Sequence, residues 1–528
     1  MVREQRLEAV NTMRETAAPE RRERVRGRVG WAAALDRFAP VGLAVLVVGY
    51  FLLFTAMSLY WRDHLRWGFD ITVYSQPIWN TAHGRLWEVS LYDWTATELG
   101  HDLVLIELPL APLYRLLGGN IALVLVQSAT VALGGWGAYA VARHILPRVN
   151  RAVPLLFAAL YLSLLFIHET NLEKFHARNL IMWTFFFAWI GYRTNRTWLI
   201  WLMLGIALTA RSDVALVVFA FGLFCLLERR RWTQSWVPMA VGAAWFFGVV
   251  YVLVPHFSTA GFVYDQNYEW LGGSISGIVK ASVTRPLYVL RGVVTADKIR
   301  YTFDLLFPFA FLPLLRPKML LIPLPIYLLN ILSNYPHQFS ITAHYQALIV
   351  PWLMIAAIEA AADIAQGRGV IGSCLIGFGA TARRWAGFVR MPAVTATALV
   401  VVMLGCSATQ QLTIASPVLS YVLHHGPNSR ADAGRALIAQ VPRDAPLAIT
   451  QKLAGNTPDR RYVYSFPGDP LYHSPALVDR ANYLIGDEQL SDFEQQSIAR
   501  YRADPAWQVV DERGGFVLMR RIQPLAKT

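Results

Sequence analysis

The chain has 528 residues, of which 55% are hydrophobic and only 16% charged, with a formal net charge of +13. Soluble domains carry roughly a quarter charged residues, so the composition excludes an ordinary soluble protein and makes lipid the solvent of much of the chain. The positive charge falls in short arginine clusters between apolar runs rather than on one basic face, which argues for membrane topology and against a nucleic-acid partner.

Residues 1–38 are polar and dense in charge, with Arg21, Arg22, Arg24, Arg26 and Arg28 shortly before the first apolar run. The segment is too long and too charged for a cleaved signal sequence, and reads as a cytoplasmic basic arm. A membrane-spanning helix needs about 20 mostly apolar residues. Runs at 41–60, 121–142, 153–167, 180–192, 199–210, 214–227, 237–254, 303–315, 319–332, 346–361 and 393–406 predict about eleven spans. The fold class expected is therefore an α-helical polytopic membrane protein, with its transmembrane part over 39–412.

Alternate connections carry the arginines: Arg143, Arg148 and Arg151, then Arg193 with Arg196, Arg229 to Arg231, Arg316 with Lys318, and Arg368, Arg383, Arg384 and Arg390. By the positive-inside rule these are cytoplasmic, which puts the N-terminus in the cytoplasm and the C-terminus outside. The intervening connections, 61–102, 168–179, 211–213, 256–300 and 334–344, carry mixed charge, histidine and aromatic residues. The run at 103–117 holds Glu107, Pro109, Pro112 and Arg115 and ends at Gly118 and Gly119, so it reads as a juxtamembrane or re-entrant helix rather than a span. After Gln410 the pattern becomes soluble, with helical periodicity at 431–440 and 491–501 and strand-like runs at 447–450, 462–466, 483–485, 508–510 and 516–519. Residues 413–528 are read as a small extracytoplasmic α/β domain. It contains none of the three cysteines, Cys225, Cys374 and Cys406, so no disulfide supports it.

The candidate chemistry lies in the outer connections. The first, 61–102, places Asp70 just beyond the first span, and ionisable groups at membrane depth are functional candidates by default. The competing reading pairs Asp63 and Asp70 with Arg62 and Arg66 among interfacial tryptophans. His101, Asp102, His168, Glu169, Glu173, Lys174, His176 and Arg178 add polar groups on the same side, and such histidine and carboxylate neighbours can make a metal site; position 172 is leucine, so no HExxH signature exists, a divalent metal is the weaker reading, and no cofactor is expected. Arg211 and Asp213 flank a very short turn; they either neutralise one another or leave Arg211 to bind a phosphate. His344, beside Tyr345, starts a later span and reaches the same region.

In this order the motifs GFDITVYSQPIWNTAHGRLW (68–87), LPLAPLYRL (108–116), KFHARNL (174–180), RSDVAL (211–216) and HYQALIVPWL (344–353), with TQKLAGNTPDRRYVYSFP (450–467), resemble the domain of unknown function 2079 family of predicted bacterial membrane proteins, which is allied to GT-C glycosyltransferases. Ser75, Ala177 and Ser212 depart from positions where that family commonly has an acidic residue, a proline and an acidic residue. The resemblance implies a GT-C-like fold in the bacterial plasma membrane. It also implies a polyprenyl-phosphate sugar donor, a glycan, glycolipid or protein acceptor on the outer face, and an acidic residue of the first outer loop as base. Carried onto this chain, Asp70 is the catalytic base, and Arg66, His101, Asp102, His176, Arg211, Asp213 and His344 are donor-phosphate or substrate-binding candidates. A transporter or flippase of lipid-linked glycans, and a noncatalytic envelope-assembly protein, are the rival readings.

Overall fold

The computed structural model describes residues 36–147, 149–368, 392–414, 416–423, 426–457, 459–468 and 475–523. Almost all of the basic arm, and Arg383, Arg384 and Arg390, lie outside the described residues. Every apolar run expected as a span contains helix, but the helices differ sharply in length. Four are long and apolar enough to cross a membrane: Asp36–Asp63, Asn120–Ile145, Trp236–Phe257 and Pro392–Thr413. Ala152–Ser163 and Leu165–Leu172, bent by 50° at Leu164, make a fifth if counted together. Thr197–Leu208 and Val214–Leu227 are apolar but shorter. The expectation of eleven spans thus meets four or five helices of spanning length among the described residues. Hydropathy counts apolar residues without asking what covers them. Many of the shorter runs are buried by protein: fifteen of the sixteen residues of Val350–Ala365 are buried, and a helix so enclosed need not match the bilayer thickness.

Asn120–Ile145 is the central helix, with 61% of its most apolar window buried, against 17% for Asp36–Asp63, which faces outward from the bundle. Its glycines make this possible. A methyl group at Gly134 would lie 2.3 Å from the Tyr161 hydroxyl, and at Gly137 it would lie 2.7 Å from Phe186, so small residues let Ala152–Ser163 and Met182–Arg193 close on the same helix. Pro392–Thr413 is tied back by the Ser407 hydroxyl, which donates to the Ser163 carbonyl at 3.0 Å, and by Gln411, which reaches His168 Nδ1 at 2.8 Å. Glu107–Leu117 is an 11-residue helix, too short to cross a membrane.

The arginine-bearing connections meet one another. Arg193 and Arg316 both approach Glu359, at 3.6 and 3.7 Å, and Asp363 accepts from Arg316 and from Arg368. Lys318 reaches Glu228 at 2.9 Å. The polar connections gather at the other end of the same helices.

Beyond the bundle, β1 (Leu447–Thr450), β2 (Val463–Phe466), β3 (Tyr483–Asp487), β4 (Trp507–Arg513) and β5 (Phe516–Arg521) form one sheet in the order β2-β1-β3-β5-β4. β1 runs parallel to β2 and β3, and β5 antiparallel to β3 and β4. The strand period of two divides its core. Ile449, Ile485 and Leu518 face the helix Ser429–Ala439, whereas Ala448, Leu484, Val517 and Met519 face Asp492–Ala503. The first face also takes in Leu65, Phe69, Val89, Leu91 and Tyr92 of the first outer loop, so sheet and loop share one apolar core. Polar contacts reinforce the seam. Arg461 pairs with Glu88 at 2.8 Å, the Ser90 hydroxyl donates to the Val463 carbonyl at 3.0 Å, and Arg435 donates to the Asp63 carbonyl at 2.7 Å.

Candidate functional site

Five connections, 61–102, 168–179, 211–213, 256–300 and 334–344, meet through pairs such as Asp70 with Lys174, Asp102 with Arg211, Arg178 with Asp213, His101 with Tyr264 and Glu173 with His344. Asp70 is the first residue of the helix Asp70–Ala82, where the positive end of the helix favours its carboxylate. Its oxygen lies 2.5 Å from Lys174 Nζ, and its side chain is 49% exposed, so it is both charged and accessible. Gly68 makes room for that lysine, because a methyl there would meet Nζ at 3.3 Å. Desolvation works to raise the Asp70 carboxyl, but the Lys174 ammonium outweighs it and holds the acid down at about 2.

The segment carrying Lys174 is held by a residue that the sequence reading passed over. Gln127, buried in the middle of Asn120–Ile145, donates to the carbonyls of Asn171 at 2.9 Å and Lys174 at 2.8 Å, and accepts from the His176 backbone at 2.9 Å. A lone glutamine inside an otherwise apolar helix was the available signal, since a polar group in that setting needs internal partners. The segment then delivers Glu173, Lys174, His176 and Arg178 to the same space.

His176 and His344 lie face to face, their ring centres 3.5 Å apart and their planes 21° from parallel. His344 Nδ1 lies 3.2 Å from Glu173 Oε2. Neither nitrogen of His176 has a hydrogen-bond partner, and the residue is only 4% exposed. Burial pushes both imidazoles well below their usual range; the neighbouring His344 adds to this at His176, and Arg178 and Arg211 add to it at His344. Both rings are therefore neutral near pH 7.

Arg211 does not pair with Asp213. Its Nε donates to Asp102 Oδ2 at 2.9 Å, while Asp213 takes Arg178 at 2.5 Å. The tripeptide reading fails because residues 211 and 213 flank a helix start, where adjacent side chains diverge and each finds a partner from another segment. Asp102 is 1% exposed and also accepts from the Ser212 hydroxyl at 3.1 Å and from the Leu103 backbone at 2.8 Å, so its lone pairs are spent on holding Arg211. Both arginines line a small cavity of about 90 Å³ that opens to the surface, whose other walls include Phe246, Val250, Phe262, Ile275, Ile278 and Leu329. Tyr264 forms part of the lining and stacks against Arg211 at 4.6 Å. Arg178 Nε has no partner of its own.

Two candidates stand apart from these groups. His101 is fully engaged, by Glu98 at 2.8 Å on Nδ1 and by the Tyr264 hydroxyl at 2.6 Å on Nε2, so it supports the arginine layer from behind. Arg66 is exposed and lies over the Trp61 ring at 5.1 Å, away from the cavity. Asp70, His176, His344, Arg211, Asp213 and Asp102 are brought together; Arg66 is not.

Helices of spanning length, with polar groups gathered by the loops at one end of the bundle, define a membrane protein. Residues 63–518 match the family described as predicted membrane protein (DUF2079), and the chain belongs to this family. Among solved structures it is similar to ArnT from Cupriavidus metallidurans bound to undecaprenyl phosphate, with 14% identity and a TM-score of 0.47 over 91% of this chain and 99% of that one. The apo state of the same protein gives a TM-score of 0.46 at 14% identity over the same shares. The Archaeoglobus fulgidus oligosaccharyltransferase, in complex with Zn and sulfate, gives 0.39 at 12% identity over 85% of this chain and 71% of that one. No curated protein matches.

Proposed function

We propose that the protein transfers a sugar from a polyprenyl-phosphate carrier to a cell-envelope acceptor on the outer face of the membrane. The observation that carries this reading is the cavity whose lining sets two arginines, one of them paired with Asp213 and with Asp265 nearby, beside apolar and tyrosine side chains, a combination that suits a phosphate joined to an isoprenoid chain. Arg211 spends only Nε on Asp102, which leaves its terminal nitrogens for phosphate oxygens, and Arg178 adds a second guanidinium.

Asp70 supplies the remaining element. A carboxylate at the helix start, half exposed and within electrostatic reach of His176 and His344, takes the proton of the acceptor hydroxyl as its oxygen bonds to the anomeric carbon. The bond from that carbon to the phosphate oxygen breaks, and the polyprenyl phosphate leaves with the electron pair, stabilised by positive charge rather than by an acid's proton. One carboxylate suffices, in keeping with Ser75 at the position where the family resemblance implies an acidic residue. Paired with Lys174, Asp70 is a weak base; arrival of the donor phosphate draws the ammonium away and restores its basicity.

The test reconstitutes the purified protein with candidate polyprenyl-phosphate sugars and compares wild type with Asp70→Asn. Asparagine keeps the size and removes the basicity, so product formation should fall by about a hundredfold to ten-thousandfold with donor binding and thermal unfolding unchanged. Normal transfer by the variant removes Asp70 from this role. Movement of the carrier by the wild type without transfer favours the flippase.

A further inference from the structure

We propose that Glu173, His176 and His344 bind a divalent transition-metal ion, with zinc(II) the ion that best suits their donors. One ligand atom from each of the three lies within 4.8 Å of the other two. Two imidazoles and one carboxylate, with room for a further ligand, are the donor set of open zinc sites, whereas magnesium and calcium prefer oxygen donors throughout.

The independent observation is His176. A buried imidazole without a hydrogen bond to either nitrogen is costly, and such a group in a well-formed interior calls for a partner. Protein neighbours do not fill the need, because Tyr74 and His344 present ring faces or edges to it, not acceptors or donors. Close stacking of the two imidazoles gives no hydrogen bond between the rings, while one nitrogen of each lies within 4.8 Å of a Glu173 oxygen. Zinc bonds of about 2.0–2.2 Å set tetrahedral ligand atoms about 3.3 Å apart, so the group must contract by at most about 1.5 Å, which rotations of the two rings and of the Glu173 carboxylate provide.

The surroundings suit a cation that is held and not merely attracted. Gln127 fixes the backbone at His176 by accepting its amide, and so positions one ligand from a rigid helix. Asp70 lies in electrostatic reach of both histidines on the accessible side, where a fourth ligand or a substrate oxygen would sit. Lys174 already answers Asp70, which leaves Glu173 to offset the ion. Ion binding is independent of the transfer reading and is measured without any donor.

The full-length protein, purified and stripped with a chelator, is titrated with zinc(II) and, in parallel, with cobalt(II) as a visible-absorption probe. One equivalent of zinc should bind, and cobalt should show the intense absorption of a low-coordinate nitrogen and oxygen site. His176→Ala and His344→Ala should each weaken binding by more than about a hundredfold, since outer partners of metal ligands alone are worth 10- to 100-fold. His83→Gln, at an exposed histidine bonded to the Trp79 carbonyl, should change nothing. His176→Cys retains a donor and adds a thiolate-to-cobalt charge-transfer band, so the proposal stays testable should His176→Ala fail to fold. Less than one equivalent bound by the wild type, or wild-type affinity in the His176→Ala/His344→Ala double variant, overturns it.

Discussion

The two halves of the site treat charge in opposite ways. Around Arg211 and Arg178 each guanidinium has a carboxylate from another segment, and Asp102 has nearly every lone pair engaged. Around His176 and His344 the reverse holds: a half-exposed aspartate rests on one lysine, and a buried histidine has no partner. Buried ion pairs fix their members in place, so the first half holds positive charge at a set position. Lone pairs and an accessible carboxylate remain in the second half, where the proposed base and the proposed metal ligands lie.

Asp102→Ala breaks the paired half and carries the largest expected cost in stability. It leaves Arg211 buried without its counter-charge, which should destabilise the protein by about 3–5 kcal/mol in denaturant unfolding in detergent. A loss below about 1 kcal/mol would mean that water reaches the pair and that the contrast between the halves is overdrawn.

Gln127→Leu sharpens the contrast from the other side. The two carbonyls and one amide it satisfies lose their partner, an effect of about 1–3 kcal/mol, and it should show as faster amide exchange confined to residues 171–179. Unchanged exchange there would assign the positioning of His176 to another contact.

Arg66→Ala marks the low end. An exposed guanidinium over Trp61 is worth about 0.5–1 kcal/mol, so unfolding should shift by no more than that, with donor binding unaltered. A clear loss of donor binding would bring Arg66 back to the site from which the structure separates it.

The strands were legible because each carries its own period. The runs 447–450, 462–466 and 483–485 read as strand-like in the sequence, and β1, β2 and β3 cover them except for Tyr462. The arginine connections were legible for a similar reason, since clusters of one residue type are visible without partners. The site itself was only half legible. Asp70, His176 and His344 stood out as polar groups beside apolar runs, but Gln127 was hidden within one, and Arg211 was weighed against the neighbour nearest in sequence.

The sequence by itself determined that the chain is helical and membrane-embedded, that its basic connections alternate with polar ones, and that strands follow after residue 440. These are local properties, fixed by periodicity and composition over ten or twenty residues. Only the tertiary structure decided which helices reach spanning length, that the sheet shares its core with the first outer loop, and that Lys174 meets Asp70 across 104 positions and Arg211 meets Asp102 across 109. Pairing at such separations depends on which helices pack side by side, and the pattern within each helix records the face it buries but not the partner that covers it.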